Sequence, residues 1–209
     1  MTGKFITFEG GEGSGKSTQL ALLAKAFATA KIPYLQTREP GGSPGGELIR
    51  TLLVSGDQDW DAETETQLFY AARLDHVNKL IKPALAEGKT VLCDRFADST
   101  LVYQGIGKGL PEEYIRMLHR LTLGNFAPDL TILLDIDPAV GLKRAHARKH
   151  NETRFESLGL EFHQRIRTGF LTIAQREPDR CVVVDALKDT QAVHADILQT
   201  LRLSVGLKL

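Results

Sequence analysis

An apolar run near the N-terminus opens directly into a glycine-rich loop that ends in Lys16 and Ser17. Together with Gly10 and Gly15, these residues match the pattern G-x-x-x-x-G-K-[ST]. In such loops the backbone N–H groups surround phosphates, the lysine reaches the β and γ oxygens, and the hydroxyl binds Mg²⁺. The apolar run Phe5–Phe8 predicts a strand before the loop, and apolar residues at helical spacing predict a helix after it. The sequence therefore predicts a strand–loop–helix unit that binds the phosphates of a nucleoside triphosphate.

Five apolar runs predict the strands of one sheet, and helical patterns separate them. The runs are Phe5–Phe8, Tyr34–Thr37, Thr90–Cys93, Leu130–Leu134 and Cys181–Val184. Alternating strands and helices are typical of a parallel sheet covered on both faces, so we expect an α/β fold of the P-loop NTPase type. At 209 residues the chain is most simply one domain, residues 1–209.

Ligands of parallel sheets bind beyond the carboxyl ends of the strands. The charged residues that follow the predicted strands are Glu9, Glu12, Arg38, Glu39, Asp94, Arg95, Asp135 and Asp185. Because these ends meet at one edge of the sheet, we expect the charged residues to gather around the phosphate loop.

Charge balance and cysteine content restrict the class of protein. The chain carries 26 basic and 26 acidic side chains, and this balance argues against a general nucleic-acid or membrane-surface binder. No apolar stretch approaches the roughly 20 residues of a membrane span, and no signal-peptide core is visible. Cys93 and Cys181 lie in apolar runs, which favours buried reduced thiols over a disulfide or a metal site. We expect a cytoplasmic protein without nucleic-acid or membrane partners.

The sequence disfavours a GTPase. Asn78-Lys79-Leu80-Ile81 has isoleucine where a guanine-specificity motif needs aspartate, and it lies within a helical pattern. The segment that begins at Asp94 lacks the glycine of a GTPase switch. A motor-type ATPase, a small-molecule kinase and a nucleotide-sensing protein without turnover remain open at this point.

Several arginines lie at predicted strand ends or in one helical segment. They are Arg38, Arg50, Arg73, Arg95, Arg144, Arg148 and Arg154. A phosphate acceptor is already ionised near neutral pH and needs no general base, whereas cations are needed to overcome repulsion between two polyanions. Guanidinium groups suit that task because they bind phosphate oxygens in pairs. The pattern favours a nucleoside monophosphate kinase, with dTMP, dUMP, CMP or AMP as possible acceptors.

Four motifs follow the phosphate loop in order: T-R-E-P-G-G at residues 37–42, F-Y-A-A-R at 69–73, D-R-F at 94–96 and Y-Q-G at 103–105. This set resembles the thymidylate kinase family over essentially the whole chain. Glu12, the absence of arginine within the loop and the arginines of residues 143–156 resemble its bacterial type. Two departures are Lys108, where the family commonly has arginine, and His146 among the basic residues.

The resemblance implies transfer of the ATP γ-phosphoryl group to dTMP with Mg²⁺, for dTTP synthesis. It also implies the sheet order 2-3-1-4-5 and a lid at about 143–156. A homodimer is implied as well, with the helix Glu63–Pro83 as the candidate interface; the alternative is that its outer apolar positions face the domain core. A cis peptide bond between Glu39 and Pro40 is a further expectation.

The resemblance assigns the site residues. The ATP site comprises Gly10, Gly11, Glu12, Gly13, Ser14, Gly15, Lys16, Ser17, Thr18 and Arg144. The dTMP site comprises Glu12, Arg38, Arg50, Phe69, Arg73, Arg95, Thr100, Tyr103 and Gln104. The catalytic residues are Glu12, Lys16, Arg95 and Arg148, with Arg154 as the second choice to Arg148. Ser17 is the direct metal ligand, and Asp94 acts through water.

Phe69 and Arg73 are four residues apart, so in a helix they share one face. The ring would stack on the pyrimidine while the guanidinium bonds its edge. Phe69 as plain core, and Arg73 in a buried ion pair with an acid such as Glu12, remain the alternatives. Thr100 and Gln104 complete the base pocket by resemblance, although each is an ordinary helix residue on sequence alone.

By the same resemblance, three further contacts surround the sugar and phosphate of the acceptor. Tyr103 crowds the sugar 2′ position, and Glu12 reaches the region of the 3′-OH. The acceptor phosphate is clamped by Arg38, Arg50 and Arg95.

Overall fold

The computed structural model describes residues 3–54, 59–147 and 158–207 of the chain. A five-stranded sheet forms its centre. The strands are β1 (Phe5–Glu9), β2 (Tyr34–Arg38), β3 (Thr90–Asp94), β4 (Leu130–Asp135) and β5 (Cys181–Asp185). Every pairing is parallel, and the strands lie in the order β2-β3-β1-β4-β5. The predicted parallel sheet and its strand order are confirmed.

Each strand is one residue longer than its apolar run predicts, always at the carboxyl end. The added residues are Glu9, Arg38, Asp94, Asp135 and Asp185. The backbone of each still pairs with a neighbouring strand, as in the pairs Arg38–Asp94 and Asp135–Asp185, although the side chain breaks the apolar pattern. Since the strands are parallel, these five charged residues lie at one edge of the sheet.

Helices surround the sheet. They are α1 (Lys16–Thr29), α2 (Pro44–Val54), α3 (Ala62–His76), α4 (Lys82–Ala86), α5 (Ala97–Thr100), α6 (Glu112–Leu123), α7 (Pro138–His146), α8 (Leu160–Arg176) and α9 (Thr190–Ser204). A π-helical segment, Val77–Ile81, joins α3 to α4, and a second, Leu101–Gly107, continues α5. No helix in the described ranges is long and apolar enough to cross a membrane.

Alternating side chains of the strands pack into separate clusters on the two faces of the sheet. Ile6 and Phe8 of β1 are buried with residues of α1 and α9. Phe5 is buried on the other face with residues of the segment Val77–Ile81, and a second cluster there joins β4 to α8. Cys93 and Cys181 are buried free thiols, as predicted.

Candidate active site

The loop between β1 and α1 depends on glycine at three positions. Gly10, Gly13 and Gly15 have φ values of 136°, 67° and 94°, a region that side chains disfavour. A Cβ on Gly13 would collide with the backbone oxygen of Gly141 in α7. The loop therefore keeps its backbone close to α7. The predicted ATP-site residues from Gly10 to Thr18 all lie in this loop or in the first turn of α1.

Lys16 is the first residue of α1, and its ammonium group lies inside the loop. Nζ donates hydrogen bonds to the carbonyl oxygens of Gly10 and Gly11, both at 3.0 Å, and to Ser14 Oγ at 3.3 Å. Burial, and then the Arg95 guanidinium, lowers the pKa of Lys16 to about 8. The loop thus holds a cation in a fixed position where phosphates of a nucleotide would bind.

Ser17 and Asp94 provide neighbouring oxygen ligands for a cation. Ser17 Oγ donates to Asp94 Oδ2 at 3.1 Å, which brings the start of α1 to the end of β3. Hydroxyl and carboxylate oxygens suit Mg²⁺, which keeps several waters and binds substrate phosphates besides one or two protein groups. In the described part of the chain, no group of three or more His, Cys, Asp or Glu side chains forms a metal cage. This pair therefore fits a magnesium ion that enters with the nucleotide.

A cleft lies beside the phosphate loop. Eight of the nine residues predicted for the dTMP site line it: Glu12, Arg50, Phe69, Arg73, Arg95, Thr100, Tyr103 and Gln104. These residues come from the loop, α2, α3, the end of β3, α5 and the segment Leu101–Gly107. Glu12 belongs to both the loop and the cleft, so the two sites adjoin.

Arg95 is the centre of the hydrogen-bond network between the loop and the cleft. Its φ of 66° is unusual for a residue with a side chain. Nη1 donates to the oxygen of Gly10 and to Ser99 Oγ, both at 3.1 Å. Nη2 donates to Glu12 Oε1 at 2.7 Å and to the Tyr103 hydroxyl at 3.3 Å. The guanidinium is therefore held from two sides beside the phosphate loop.

Glu12 and Tyr103 complete this network. The Tyr103 hydroxyl donates to Glu12 Oε1 at 2.9 Å. Burial alone would raise the pKa of Glu12, but the Arg95 guanidinium and then the Lys16 ammonium lower it to about 2. Glu12 is consequently an anion at neutral pH and acts as a hydrogen-bond acceptor in the cleft.

Arg73 of α3 is almost completely buried and only partly satisfied. Nε donates to Glu39 Oε2 at 2.6 Å, and Nη2 donates to Thr100 Oγ1 at 3.0 Å and to the oxygen of Phe96 at 3.2 Å. Nη1 is buried without a hydrogen-bond partner among the described residues. The carboxylate that neutralises Arg73 is thus Glu39, whereas the sequence suggested Glu12. An unsatisfied guanidinium nitrogen on a cleft wall is costly unless a ligand accepts its hydrogen bond.

The α3 helix carries Arg73 and Phe69 on its cleft side. It begins after Asp61, whose Oδ1 accepts a hydrogen bond from the Thr64 N–H at 2.8 Å. Phe69 is half-buried and lines the cleft, so its ring is available to a flat ligand. The rings of Tyr70 and Phe96 lie 4.7 Å and 5.3 Å from the Arg73 guanidinium carbon.

The other predicted arginines have different positions. Arg38 is absent from the cleft lining, and its Nη2 pairs with Glu47 Oε2 at 3.1 Å. Arg50 lines the cleft and donates from Nη1 to the oxygen of Pro40 at 2.6 Å. Arg144 on α7 donates to the oxygen of Ala186 at 3.0 Å. Arg148, Arg154 and most of the predicted lid at about 143–156 lie outside the described residues.

Three residues that shape the site, Glu9, Glu39 and Ser99, were given no role in it by the sequence analysis. Glu39 and Ser99 line the cleft, and the Glu39–Pro40 peptide bond is cis, as the resemblance implied. Glu9 is fully buried and accepts hydrogen bonds from the Phe96 N–H at 2.7 Å and from Ser99 Oγ at 2.6 Å. Burial and the Asp98 carboxylate raise the pKa of Glu9 to about 7. Its place at the end of β1 marks Glu9 in the sequence, whereas no pattern marks Ser99.

The fold and the two adjoining sites define the class of P-loop nucleotide kinases. The family model for thymidylate kinase matches residues 8–197. This chain belongs to the thymidylate kinase family.

The similarity extends over nearly the full length of individual relatives. A thymidylate kinase of Caulobacter vibrioides is 53% identical over 206 residues, covering 98% of this chain and 99% of that protein. One of Ruegeria pomeroyi is 51% identical over 199 residues, covering 95% of this chain and 94% of that protein. The solved structure of a thymidylate kinase from Ehrlichia chaffeensis superposes with a TM-score of 0.79 at 36% identity, covering 96% of this chain and all of that one.

Proposed function

We propose that this chain transfers the γ-phosphoryl group of ATP to dTMP, giving ADP and dTDP for dTTP synthesis. Arg73 carries this proposal, because it lines a cleft together with Phe69 and Gln104 and its buried Nη1 has no hydrogen-bond partner among the described residues. Thymine offers an acceptor at O4 for such a donor. Family membership supports the same reaction.

In the reaction, an oxygen of the dTMP phosphate attacks the γ-phosphorus, and the bond from that phosphorus to the β–γ bridging oxygen breaks. The acceptor phosphate needs no base, so the work of the protein is positioning and charge neutralisation. Lys16 neutralises the β and γ oxygens. Arg95 and Arg50 hold the acceptor phosphate, whereas Arg38, predicted as the third member of this clamp, pairs with Glu47 and does not line the cleft.

Residues of the lid would supply further positive charge. Arg148 is the first candidate to meet the transferring group, and Arg154 and Arg144 are the others. Ser17 directly, and Asp94 through water, would hold Mg²⁺, which neutralises charge on the β and γ oxygens when bound. This proposal rests on the 3.1 Å contact between those two side chains.

Recognition of the nucleoside uses the remaining residues of the cleft. Phe69 stacks on the base, and Arg73, Thr100 and Gln104 bind its edge. Tyr103 fills the space at the sugar 2′ position, and Glu12 faces the 3′-OH. The hydrogen bond from Tyr103 to Glu12 supports this arrangement, since it fixes both side chains.

An assay with a panel of acceptors tests the proposed function. Purified protein, ATP and Mg²⁺ are incubated with dTMP, dUMP, dCMP, CMP or AMP, and ADP release is measured by a coupled reaction. We expect dTMP to have the highest kcat/KM and turnover to require Mg²⁺. A higher kcat/KM for another acceptor would indicate a different monophosphate kinase. ATP binding without turnover on any acceptor would indicate a nucleotide sensor.

We also propose a homodimer. The predicted interface at residues 63–83 covers α3 and the segment after it. Large apolar side chains are exposed on α2 and α6, which both contact α3: Leu48 and Leu52 on α2, and Met117 and Leu121 on α6. Apolar patches of this kind mark association surfaces. The predictions of a single domain, a cytoplasmic location and no nucleic-acid or membrane partner still rest on the sequence.

Replacement of Leu121 by glutamate should give a monomer, because the most exposed of these apolar side chains would become a charge beside the proposed interface. Sedimentation equilibrium measures the mass, which for one chain is 23.0 kDa. Leu203→Glu, at an exposed position on α9, is the control that should leave the mass unchanged. A wild-type mass of one chain at micromolar concentration would contradict the homodimer.

A further inference from the structure

Gln104 has a fixed orientation in the wall of the cleft. It is 1% exposed, and its Nε2 donates to Glu65 Oε1 at 2.7 Å. Glu65 lies on α3 and is completely buried. Its second oxygen, Oε2, accepts a hydrogen bond from Lys108 Nζ at 2.9 Å. These three residues connect α3 to the π-helical segment Leu101–Gly107 and the residue that follows it.

The chemistry of this contact decides which end of the Gln104 amide faces Glu65. An amide has a donating NH₂ end and an accepting oxygen end, whereas an ionised carboxylate can only accept. The reverse orientation would place the amide oxygen against the carboxylate and leave a buried charge unsatisfied. The Lys108 ammonium supplies the opposite charge that a buried carboxylate requires. The amide oxygen of Gln104 is therefore the end that remains for a ligand.

A Gln104 amide that offers its oxygen to the ligand matches only some pyrimidine bases. Thymine and uracil carry N–H at ring position 3 and an acceptor oxygen at position 4, whereas cytosine carries an unprotonated nitrogen at position 3 and an amino group at position 4. An acceptor from Gln104 beside a donor from Arg73 complements this edge of thymine and uracil. The same two groups oppose the edge of cytosine.

We propose that Glu65, held by Lys108, fixes the polarity of the Gln104 amide and thereby selects a base with N–H at position 3. This inference rests on the proposed function. Glu65 and Lys108 are positioning residues, since they act on the base through Gln104. They thus provide a second source of discrimination against cytosine, besides the hydrogen-bond donor of Arg73.

The test compares Glu65→Gln with the wild type on dTMP, dUMP and 5-methyl-dCMP. The last probe keeps the methyl group, sugar and phosphate of dTMP and changes only positions 3 and 4 of the base. A glutamine at 65 can face Gln104 with either amide end, so Gln104 is free to rotate. We expect the ratio of kcat/KM for dTMP over 5-methyl-dCMP to fall about tenfold, the scale of one hydrogen bond. The ratio for dTMP over dUMP should stay unchanged, because uracil has the same edge as thymine.

Lys108 provides a second, independent variant pair. Lys108→Met removes the cation beside Glu65 and should lower the same ratio, whereas Lys108→Arg keeps the charge and should preserve it. Glu161→Gln is the matched control, since Glu161 is an exposed glutamate on α8 that pairs with the basic residue Arg165. A loss of packing alone would reduce activity on all three nucleotides equally.

Two results separate this inference from the proposed function. If the wild-type protein does not phosphorylate dTMP, the proposed function fails and this inference fails with it. If the wild type prefers dTMP but Glu65→Gln and Lys108→Met keep the ratio for 5-methyl-dCMP within twofold, only the role of Glu65 is overturned. A failure of Glu65→Gln to fold leaves Lys108→Met and Lys108→Arg to decide.

Discussion

Replacement of Lys16 by alanine should lower kcat for phosphoryl transfer by at least about 10²–10³-fold, the scale of losing one preorganised charge in a phosphoryl-transfer site. The ammonium is held by two carbonyl oxygens and a hydroxyl inside the loop, so its position is set before ATP arrives. Alanine removes the point charge beside the β and γ oxygens, and its methyl group cannot supply another.

The control for this variant is Lys25→Ala, which removes an exposed lysine from the same helix α1. Thermal unfolding followed by circular dichroism should show that Lys16→Ala is folded. Because Lys16 is buried, the variant should also melt somewhat below the wild type. A folded Lys16→Ala protein with more than a tenth of wild-type kcat would disprove the role.

Lys16 also predicts a pH dependence. Its pKa of about 8 means that the charge of the unliganded protein is lost as pH rises through about 8. Bound phosphates favour the ammonium form, so ATP affinity should fall as pH rises above that value. Isothermal titration calorimetry between pH 7 and pH 9.5 measures this fall in ATP affinity, which should be absent in Lys16→Ala.

Replacement of Arg95 by alanine should lower kcat/KM for dTMP by about 10³-fold, while KM for ATP changes several-fold at most. The guanidinium donates to four oxygens of the loop and cleft and is held next to the proposed acceptor phosphate. Arg95→Lys should restore only part of the activity, since an ammonium cannot form two parallel bonds to phosphate.

The backbone at Arg95 allows loss of function to be separated from loss of stability. Its φ of 66° costs a residue with a side chain roughly 1–2 kcal/mol, and glycine avoids this cost. Arg95→Gly should therefore be as inactive as Arg95→Ala but unfold at a higher urea concentration. Arg116→Ala on α6, which removes an exposed arginine paired with Glu112, is the control for the loss of one positive charge. Equal kcat/KM for dTMP in wild type and Arg95→Gly would rule out a role of Arg95 in holding the acceptor phosphate.

Local sequence patterns predicted the phosphate loop and the strands of this protein well. The phosphate loop is a continuous segment whose glycines and lysine act within a few residues of each other, so its sequence pattern contains the site. The strands follow from short apolar runs, and the structure extends each run by the one charged residue that follows it. The two π-helical segments were expected as ordinary helix, because each is a short stretch that directly continues an α-helix and interrupts its pattern only briefly.

The partners of charged side chains were harder to predict. Arg38 and Glu39 are adjacent in the sequence, yet Arg38 pairs with the exposed Glu47, whereas Glu39 enters the core and pairs with Arg73. Consecutive side chains of an extended chain point to opposite sides. Which side faces the cleft depends on how α2 and α3 pack, and no local sequence pattern determines that packing.

By itself, then, the sequence determined the nucleotide loop, the parallel sheet and the family, since each is encoded in short segments or in motifs read one after another. Only the tertiary structure decided that Arg73 Nη1 has no hydrogen-bond partner within the described ranges and that Gln104 turns its amide nitrogen to Glu65. Glu39 and Arg73 are 34 positions apart, and Glu65 and Gln104 are 39 positions apart. Such contacts form only when separate helices and strands pack together, because burial then forces each charged or polar group to find a partner within hydrogen-bond distance.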